Sequence, residues 1–418
     1  MKIYIKAAVV DMLDESKEAQ LAIINDPQAR LRPEEFLRFA KSKYADVKAI
    51  VAKRPDTPPE ILAKLAKDKT VTVRKAVAQN PNTPLDTKIT LMHDKSEDIW
   101  NIIDRDKDFI ASLSAETLTR LAQDEFNRVR GLVAAHENTP PEVLAELAHD
   151  TNKFVAQSAL QNKNIPIDTL REYADLQSTR DLYGHFKWDD NMTKLGALSR
   201  NPRTPPEVLE KIYRGDHEYS IYAEIARNPN TPADILVELS TNDDYFQRSR
   251  VADNPSTPVE VLEVLAHDPE NFVRHSVAQN PNLPVNVMLE LTQDEDNLTR
   301  SSLGRNKQLP SNICSILAHD PDQLVRSSVA NHPNLPVDDM YSLVDDEGLT
   351  QSYLAQNPNA PSDILDMLGR NSNNERFRLH VAENPNTANE TLHYIIENAP
   401  SWDSNLRKAA KNNPNYRE

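Results

Sequence analysis

Apolar residues recur along the chain at helical spacing, and prolines separate one apolar cluster from the next. The clearest example is the stretch Ser256–Asn282. Its first apolar stripe consists of Val261, Leu262, Leu265 and Ala266. Its second stripe consists of Val273, Val277 and Ala278. Because such residues fall on one face of a helix, the stretch predicts two amphipathic helices, the second shorter and ended by Asn280–Pro281.

The motif Asn-Pro-x-Thr-Pro sets the period of this pattern. Its second proline, or the residue in that place, recurs fourteen times, at Pro33, Pro58, Pro84, Ser114, Pro140, Pro166, Pro205, Pro232, Pro258, Pro284, Pro310, Pro336, Pro361 and Ala388. Most intervals are close to 26 residues. Two short helices bury little apolar surface alone, but stacked pairs share a continuous core. We therefore predict an all-α solenoid of about fourteen two-helix repeats over residues 31–418, behind an N-terminal cap segment, residues 1–30.

Four of the first helices begin with a recognisable capping pattern. Thr257 is predicted as the N-cap, Pro258 as the first helical residue, and Glu260 as the partner that completes a capping box. The same spacing recurs at the pairs Thr57/Glu60, Thr139/Glu142 and Thr204/Glu207.

Two intervals are longer than the rest. One spans 30 residues and adds a mixed-charge turn near residues 104–108. The other spans 39 residues and places an insertion at about residues 176–190, between the first and second helices of its repeat. This insertion contains Tyr183, His185, Phe186 and Trp188. Its aromatic rings either pack back on the helices or anchor a partner, because insertions in solenoids often lie on the binding face.

An arginine recurs at one position of the second helices. The row consists of Arg74, Arg130, Arg248, Arg274, Arg300, Arg326, Arg378 and Arg407. An aspartate often stands six residues earlier, as Asp268 does before Arg274. Two interpretations remain open. The arginines pair internally with aspartates of the same or the next repeat, or they form a stripe that binds carboxylates or phosphates.

Composition narrows the chemistry. The formal net charge of −16 disfavours non-specific binding to nucleic acid. The single cysteine, Cys314, excludes an internal disulfide and is predicted to be buried and unreactive. The recurring histidines His93, His149, His267 and His319 lie too far apart along stacked repeats to share a metal, so we predict no metal and no cofactor. Short apolar runs predict neither a membrane span nor a signal peptide, and hence a cytoplasmic protein.

The repeat resembles the leucine-rich repeat variant family of bacteria. The matching segments are VRKAVAQNPNTP from Val73, VRHSVAQNPNLP from Val273 and VRSSVANHPNLP from Val325. The resemblance implies a right-handed superhelix in which α-helices alternate with short, often 3₁₀, helices. The repeat unit of the family is slightly shorter than 26 residues, so the second helix is expected to be longer here than in the family. Some members carry an iron–sulfur cluster on a cysteine-rich segment, and this sequence has no such cysteines.

The function that these observations favour is a binding scaffold without enzymatic activity. The resemblance implies protein interaction, and the partner is expected to be a protein that uses the arginine row or the insertion. The alternative is binding of DNA or RNA by the arginine row. An enzyme acting through His185 and Asp189 is the least favoured reading.

Overall fold

The computed structural model describes residues 16–26, 30–181, 185, 187–346, 348–371, 375–400 and 402–418. These residues form thirty α-helices and no strand. The chain divides into two compact units, Met1–Thr169 and Leu170–Glu418. We call them the N-terminal and the C-terminal unit.

The first thirteen helices run to the boundary between the units. They are α1 (Lys17–Ile24), α2 (Pro33–Ala40), α3 (Ala45–Lys53), α4 (Pro59–Leu65), α5 (Val71–Gln79), α6 (Leu85–Leu91), α7 (Glu97–Asp104), α8 (Lys107–Ala111), α9 (Ala115–Leu121), α10 (Asn127–Ala135), α11 (Pro141–Leu147), α12 (Lys153–Gln161) and α13 (Ile167–Glu172).

The remaining seventeen helices belong to the C-terminal unit. They are α14 (Asp190–Arg200), α15 (Pro206–Tyr213), α16 (Tyr219–Arg227), α17 (Ala233–Ser240), α18 (Tyr245–Asp253), α19 (Val259–Leu265), α20 (Asn271–Gln279), α21 (Val285–Leu291), α22 (Asn297–Gly304), α23 (Ser311–Ala318), α24 (Gln323–Val329), α25 (Val337–Leu343), α26 (Leu349–Gln356), α27 (Ser362–Asn371), α28 (Glu375–Glu383), α29 (Asn389–Asn398) and α30 (Ser404–Asn412).

Twenty-eight of these helices form fourteen consecutive pairs, each a first and a second helix, as the proline period predicted. The exceptions are α1 and α8. Helix α8 occupies the 30-residue interval, where the sequence predicted only a mixed-charge turn. Asp106 caps it by accepting a hydrogen bond from the backbone N–H of Phe109 at 3.0 Å. A short helix was missed because its five residues are too few to show a period.

In eleven of the fourteen pairs the second helix is longer than the first, contrary to the prediction. In the clearest repeat, α19 has seven residues and α20 has nine. The apolar stripe of α20 begins only at Val273, whereas the helix itself begins at Asn271. Because Phe272 is exposed and lies off the buried face, the stripe alone understates the length of the helix.

The predicted capping box is wrong at all four positions. Helix α19 begins at Val259, with Pro258 as the N-cap and no capping side chain. Thr257 is buried, and its hydroxyl donates to the backbone carbonyl of Val251 in the preceding second helix. The threonine therefore fastens the turn between two helices instead of starting one.

The core lies between stacked helices. In the C-terminal unit each second helix packs on the next, α18 on α20, α20 on α22 and α22 on α24. Val273 and Val277 of α20 are fully buried in this contact, and Leu262 of α19 closes it from the side of the first helices. Burying one such side chain contributes about 1.5–3 kcal/mol.

Buried asparagines connect the turns of successive repeats, and we call them the asparagine ladder. The Nδ2 of Asn280 donates to the carbonyls of Ala252 and Asn254 at 2.7 and 2.9 Å. Its Oδ1 accepts from the N–H of Asn282 at 2.8 Å. Residues with the same bonds are Asn80, Asn162, Asn228, Asn254, Asn306, Asn357, Asn384 and Asn413. Each side chain thus satisfies three backbone groups that would otherwise be buried without a partner.

The described part of the predicted cap segment is helix α1, which packs against α3. Gln20 and Ile24 of α1 are buried, and the hydroxyl of Ser42 donates to Gln20 Oε1 at 2.6 Å. The preceding stretch, residues 1–15, lies outside the described residues.

Candidate binding surfaces

Six of the predicted arginines form an ordered ladder with aspartates of the next repeat. The Nε and Nη2 of Arg274 donate to the two carboxylate oxygens of Asp294 at 2.7 and 3.0 Å. Its Nη1 donates to the backbone carbonyl of Asp268 at 2.9 Å. We call this set the arginine–aspartate ladder. Its pairs are Arg74–Asp94, Arg130–Asp150, Arg248–Asp268, Arg274–Asp294, Arg300–Asp320 and Arg326–Asp346.

The ladder is largely shielded from solvent. The side chains of Arg274 and Asp294 are only 10% and 6% exposed. The hydrogen bond to Asp294 raises the pKa of Arg274, and burial opposes this only in part. Internal pairing, one of the two interpretations of the row, is therefore present in the structure. Any direct contact of these arginines with a partner stays a prediction.

The last two arginines of the row depart from this pattern. Asn398 stands where an acidic partner of Arg378 would be, and Arg378 Nη1 approaches its carbonyl only at 3.5 Å. The Nε of Arg378 is buried without a partner. Arg407 donates instead to backbone carbonyls, among them that of Pro400 at 2.7 Å.

The insertion lies between α13 and α14, between first and second helix as predicted. Its described residues form a hairpin in which the N–H of Lys187 donates to the carbonyl of Thr179 and that of Asp181 to His185, both at 2.8 Å. The Trp188 residue is 68% exposed and the His185 side chain 80% exposed, so neither packs on the helices. Tyr183 and Phe186 lie outside the described residues.

Hydrogen bonds hold the base of the hairpin against the loop between α15 and α16. Arg180 donates to both carboxylate oxygens of Asp216 at 2.8 Å, and the Ser178 hydroxyl lies 2.9 Å from His217 Nδ1. Asp189 is the N-cap of α14 and also accepts from Thr179. Burial alone would raise the pKa of Asp189, but these hydrogen bonds outweigh it and lower the pKa. Asp189 thus holds the hairpin in place.

Sequence reasoning missed a row of exposed apolar residues on the second helices of the C-terminal unit. We call it the apolar row, and it consists of Phe246, Phe272, Leu298 and Leu324, which are 57%, 59%, 45% and 37% exposed. Each stands two residues before a ladder arginine. The row begins in an aromatic cluster, because the ring of Tyr245 lies 4.3 Å from that of Phe246 and 6.2 Å from that of Phe272. The periodic pattern of buried apolar positions does not include these residues, because they lie off the core-facing side.

Acidic residues flank the apolar row. Asp243, Glu270 and Glu295 lie in the loops before α18, α20 and α22, and all three are exposed. The ladder arginines beside them are already neutralised by aspartates. The surface around the row is therefore anionic, in keeping with the net charge of −16.

A cleft of about 570 Å³ lies beside the beginning of this row. Its walls include Tyr213, Tyr219 and Tyr222, and the rings of Tyr213 and Tyr222 meet edge to face at 5.8 Å. Burial, together with hydrogen bonding to Glu238, raises the pKa of Tyr213 to about 12. Gln247 lines the cleft at 1% exposure, and its Oε1 has no hydrogen-bond partner.

Other predicted features fall as follows. Cys314 is fully buried, and burial raises the pKa of its thiol to about 12. Among the described residues, His, Cys, Asp and Glu form no group of three that could hold a metal ion. Within the same part of the chain, every helix is too short or too polar to cross a membrane.

Stacked helix pairs joined by side-chain ladders define the class of this protein as an all-α helical-repeat solenoid. Two segments of the chain resemble a specific repeat family. Residues 45–69 and 128–151 match the family model described as leucine rich repeat variant, which confirms the resemblance that the sequence motifs indicated. No curated protein matches the sequence.

Three solved structures are similar in fold. A leucine-rich repeat variant with a novel repetitive structural motif is 24% identical with a TM-score of 0.38, over 53% of this chain and 85% of its own. Kap95p, from a structure on its binding to RanGDP, is 11% identical with a TM-score of 0.32, over 94% of this chain and 62% of its own. Importin beta is 10% identical with a TM-score of 0.28, over 99% of this chain and 68% of its own.

Proposed function

We propose that this protein is a binding scaffold without enzymatic activity, and that the apolar row of the C-terminal unit is its contact surface for a protein partner. One observation carries the proposal. Four successive second helices, α18, α20, α22 and α24, each expose a large apolar side chain at the same position. Contiguous exposed apolar surface rimmed by polar residues is typical of protein interaction sites.

The chemistry of the surroundings specifies the partner. Aromatic side chains such as Phe246 and Phe272 are enriched at the cores of protein interfaces, where a few residues supply most of the binding energy. The exposed acids Asp243, Glu270 and Glu295 favour a partner surface that carries lysine or arginine beside its apolar residues. The arginine–aspartate ladder beneath the row fixes the spacing between successive contact residues.

Binding of nucleic acid by the arginine row is the weaker alternative. The six ladder guanidinium groups donate to carboxylates and backbone carbonyls, and the acidic loops lie beside them. A phosphate would have to displace these bonds. We expect no shift of duplex or single-stranded DNA or RNA in a gel at low salt.

Site-specific photo-crosslinking tests the scaffold. A photoreactive phenylalanine analogue replaces Phe272 or Leu298 in the full chain, and a matched variant carries it at Val264, which is 70% exposed on a first helix. We expect the same protein to crosslink at both row positions and not at Val264. The candidate is then purified and titrated against the wild-type chain.

Titration of the purified partner against variants of the chain tests whether the apolar row is the contact surface. Phe272→Ser should weaken binding of the purified partner at least tenfold, because truncation of an interface aromatic costs about 2 kcal/mol or more. Val264→Ser should leave the affinity unchanged, and both variants should keep the wild-type circular dichroism spectrum. Equal crosslinking at Val264, or an unchanged affinity of Phe272→Ser, would show that the row is not the contact surface.

A further inference from the structure

From α16 to α24 the arginine–aspartate ladder is broken at one position. The cleft beside α16 and α18 lies at this position. In this series each rung joins an arginine to an aspartate twenty residues later. One repeat before the Arg248–Asp268 rung, these two positions hold Tyr222 and Asn242, and both line the cleft. The hydroxyl of Tyr222 turns back to its own loop and donates to the Gly215 carbonyl at 2.7 Å.

A regular rung shows what is missing. In the N-terminal unit a smaller groove of about 480 Å³ lies at the rung of Arg130 and Asp150. There the guanidinium donates to both carboxylate oxygens, at 2.5 and 2.9 Å, and the pair forms part of the groove wall. At the position of Tyr222 and Asn242, this chain supplies neither the guanidinium nor the carboxylate.

A third departure from the repeat lies in the same cleft. Gln247 stands at the position that Val273, Thr299 and Val325 occupy in the next three repeats. Its side chain is buried, and its carbonyl oxygen has no hydrogen-bond partner within the protein, a state that destabilises a fold unless a ligand or water supplies a donor. Valine would fill this position without that penalty.

We propose that the cleft binds a guanidinium group, which completes the broken rung from outside. Its N–H groups donate to Gln247 Oε1, and the tyrosine rings receive its flat face. Glu238, which also lines the cleft, supplies the negative charge. The chain itself shows this chemistry at the mouth, where the Arg214 guanidinium lies 5.1 Å from the centre of the Tyr213 ring and donates to Glu238 at 2.8 Å.

The guanidinium comes either from a free guanidino compound or from an arginine side chain of a protein. Arg214 is 50% exposed, so it can release Glu238 to the incoming group at little cost. The inference does not depend on the apolar row, although the row begins next to the cleft.

Calorimetric titration of the full chain tests the site. The probes are N-acetyl-arginine amide, its neutral citrulline analogue, and a nine-residue peptide with one central arginine. We expect saturable binding of the arginine amide at least tenfold tighter than that of the citrulline analogue. A peptide that binds at least tenfold tighter than the amide assigns the site to a protein partner, and equal affinities assign it to a free guanidino compound.

Variants separate the site from the rest of the surface. Gln247→Val should weaken the arginine amide at least tenfold and raise the melting temperature, because it removes the unpartnered carbonyl. Glu238→Ala should weaken binding, whereas Glu290→Ala, at the same position of a regular repeat, should not. Tyr222→Arg combined with Asn242→Asp should rebuild the rung and abolish binding.

Three results would overturn the proposal. They are no saturable binding of either arginine probe, an unchanged affinity in Gln247→Val, and equal losses in Glu238→Ala and Glu290→Ala. If the double variant at positions 222 and 242 does not fold, Gln247→Val and the glutamate pair decide alone. Loss of the crosslinked partner of the apolar row would leave this titration untouched, so the two proposals fail separately.

Discussion

Replacement of Arg300 by alanine is the most direct test of the arginine–aspartate ladder. The side chain donates to Asp320 at 2.7 and 3.0 Å and to the carbonyl of Asp294 at 2.7 Å. The two charged side chains are only 13% and 6% exposed. Arg300→Ala leaves the Asp320 carboxylate buried without its guanidinium partner. The backbone N–H of Asp322 still donates to this carboxylate.

The expected cost follows from this burial. Removal of one partner from a buried ion pair destabilises by about 3–5 kcal/mol, and we expect about 3 kcal/mol because the Arg300 side chain keeps some solvent contact. Arg300→Met combined with Asp320→Asn removes both charges and should cost only about 1 kcal/mol. The matched control is Lys211→Ala, which removes a pair whose side chains are 57% and 84% exposed and should cost under about 1 kcal/mol.

Native-state hydrogen exchange is the suitable assay, because stacked repeats need not unfold in one step. The opening free energy of amides in α22 and α24 should fall by about 3 kcal/mol in Arg300→Ala and stay nearly unchanged in Lys211→Ala. A loss below about 0.5 kcal/mol, or one equal to that of the control, would refute the view that the ladder holds the repeats together.

Three further predictions concern single side chains. Asn280→Ala should lower the free energy of unfolding by about 3 kcal/mol, since it leaves three backbone groups unpaired. Asn280→His should cost less, because His136 makes two of the three corresponding bonds in its own repeat. Burial alone would raise the pKa of Asp296, but hydrogen bonds led by that from His275 hold it at about 2. The folded pKa lies below the unfolded one, so this carboxylate stabilises the fold by about 2 kcal/mol above pH 4. The contribution is lost as the pH falls from about 4 to about 2. Asp296→Asn should remove this pH dependence of stability, measured by chemical denaturation. Cys314, with its pKa raised to about 12, should not react with iodoacetamide at pH 8 until the chain is unfolded in urea.

Each of these has a result that contradicts it. Equal stabilities of the alanine and histidine variants at position 280 would deny the hydrogen-bonding role of that side chain. An acid-denaturation curve that is the same for Asp296→Asn and the wild type would deny the depressed pKa. Alkylation of Cys314 in the folded chain at the rate of a free thiol would show that the site opens readily.

The proline period predicted the number of helix pairs because it rests on local rules, namely that proline ends one helix and begins the next. The role of Thr257 was not predictable from those rules. A threonine before a proline fits an N-cap equally well, and only the position of the preceding second helix decides that its hydroxyl donates to Val251 instead.

The candidate sites were predicted unevenly for a physical reason. The arginine row was visible as a recurring charge, but its pairing depends on which aspartate the next repeat brings near, and the sequence offered two. The apolar row was missed because exposed residues such as Phe272 carry no periodic signal of burial. The cleft did have a signal in the sequence, because Tyr222, Asn242 and Gln247 all depart from the residues that the aligned repeats share.

Because every ladder rung joins two successive repeats, a whole repeat can be removed from the series or added to it. Asp268 accepts from Arg248 through its carboxylate and from Arg274 through its backbone carbonyl, so successive rungs of the ladder share one aspartate and have the same geometry. Excision of one whole repeat, Pro258 to Leu283, would bring Arg248 to the spacing from Asp294 that it now has from Asp268. Insertion or removal of whole repeats between Arg248 and Asp346 therefore preserves the twenty-residue spacing of the rungs, whereas a change of a few residues within one rung alters that spacing.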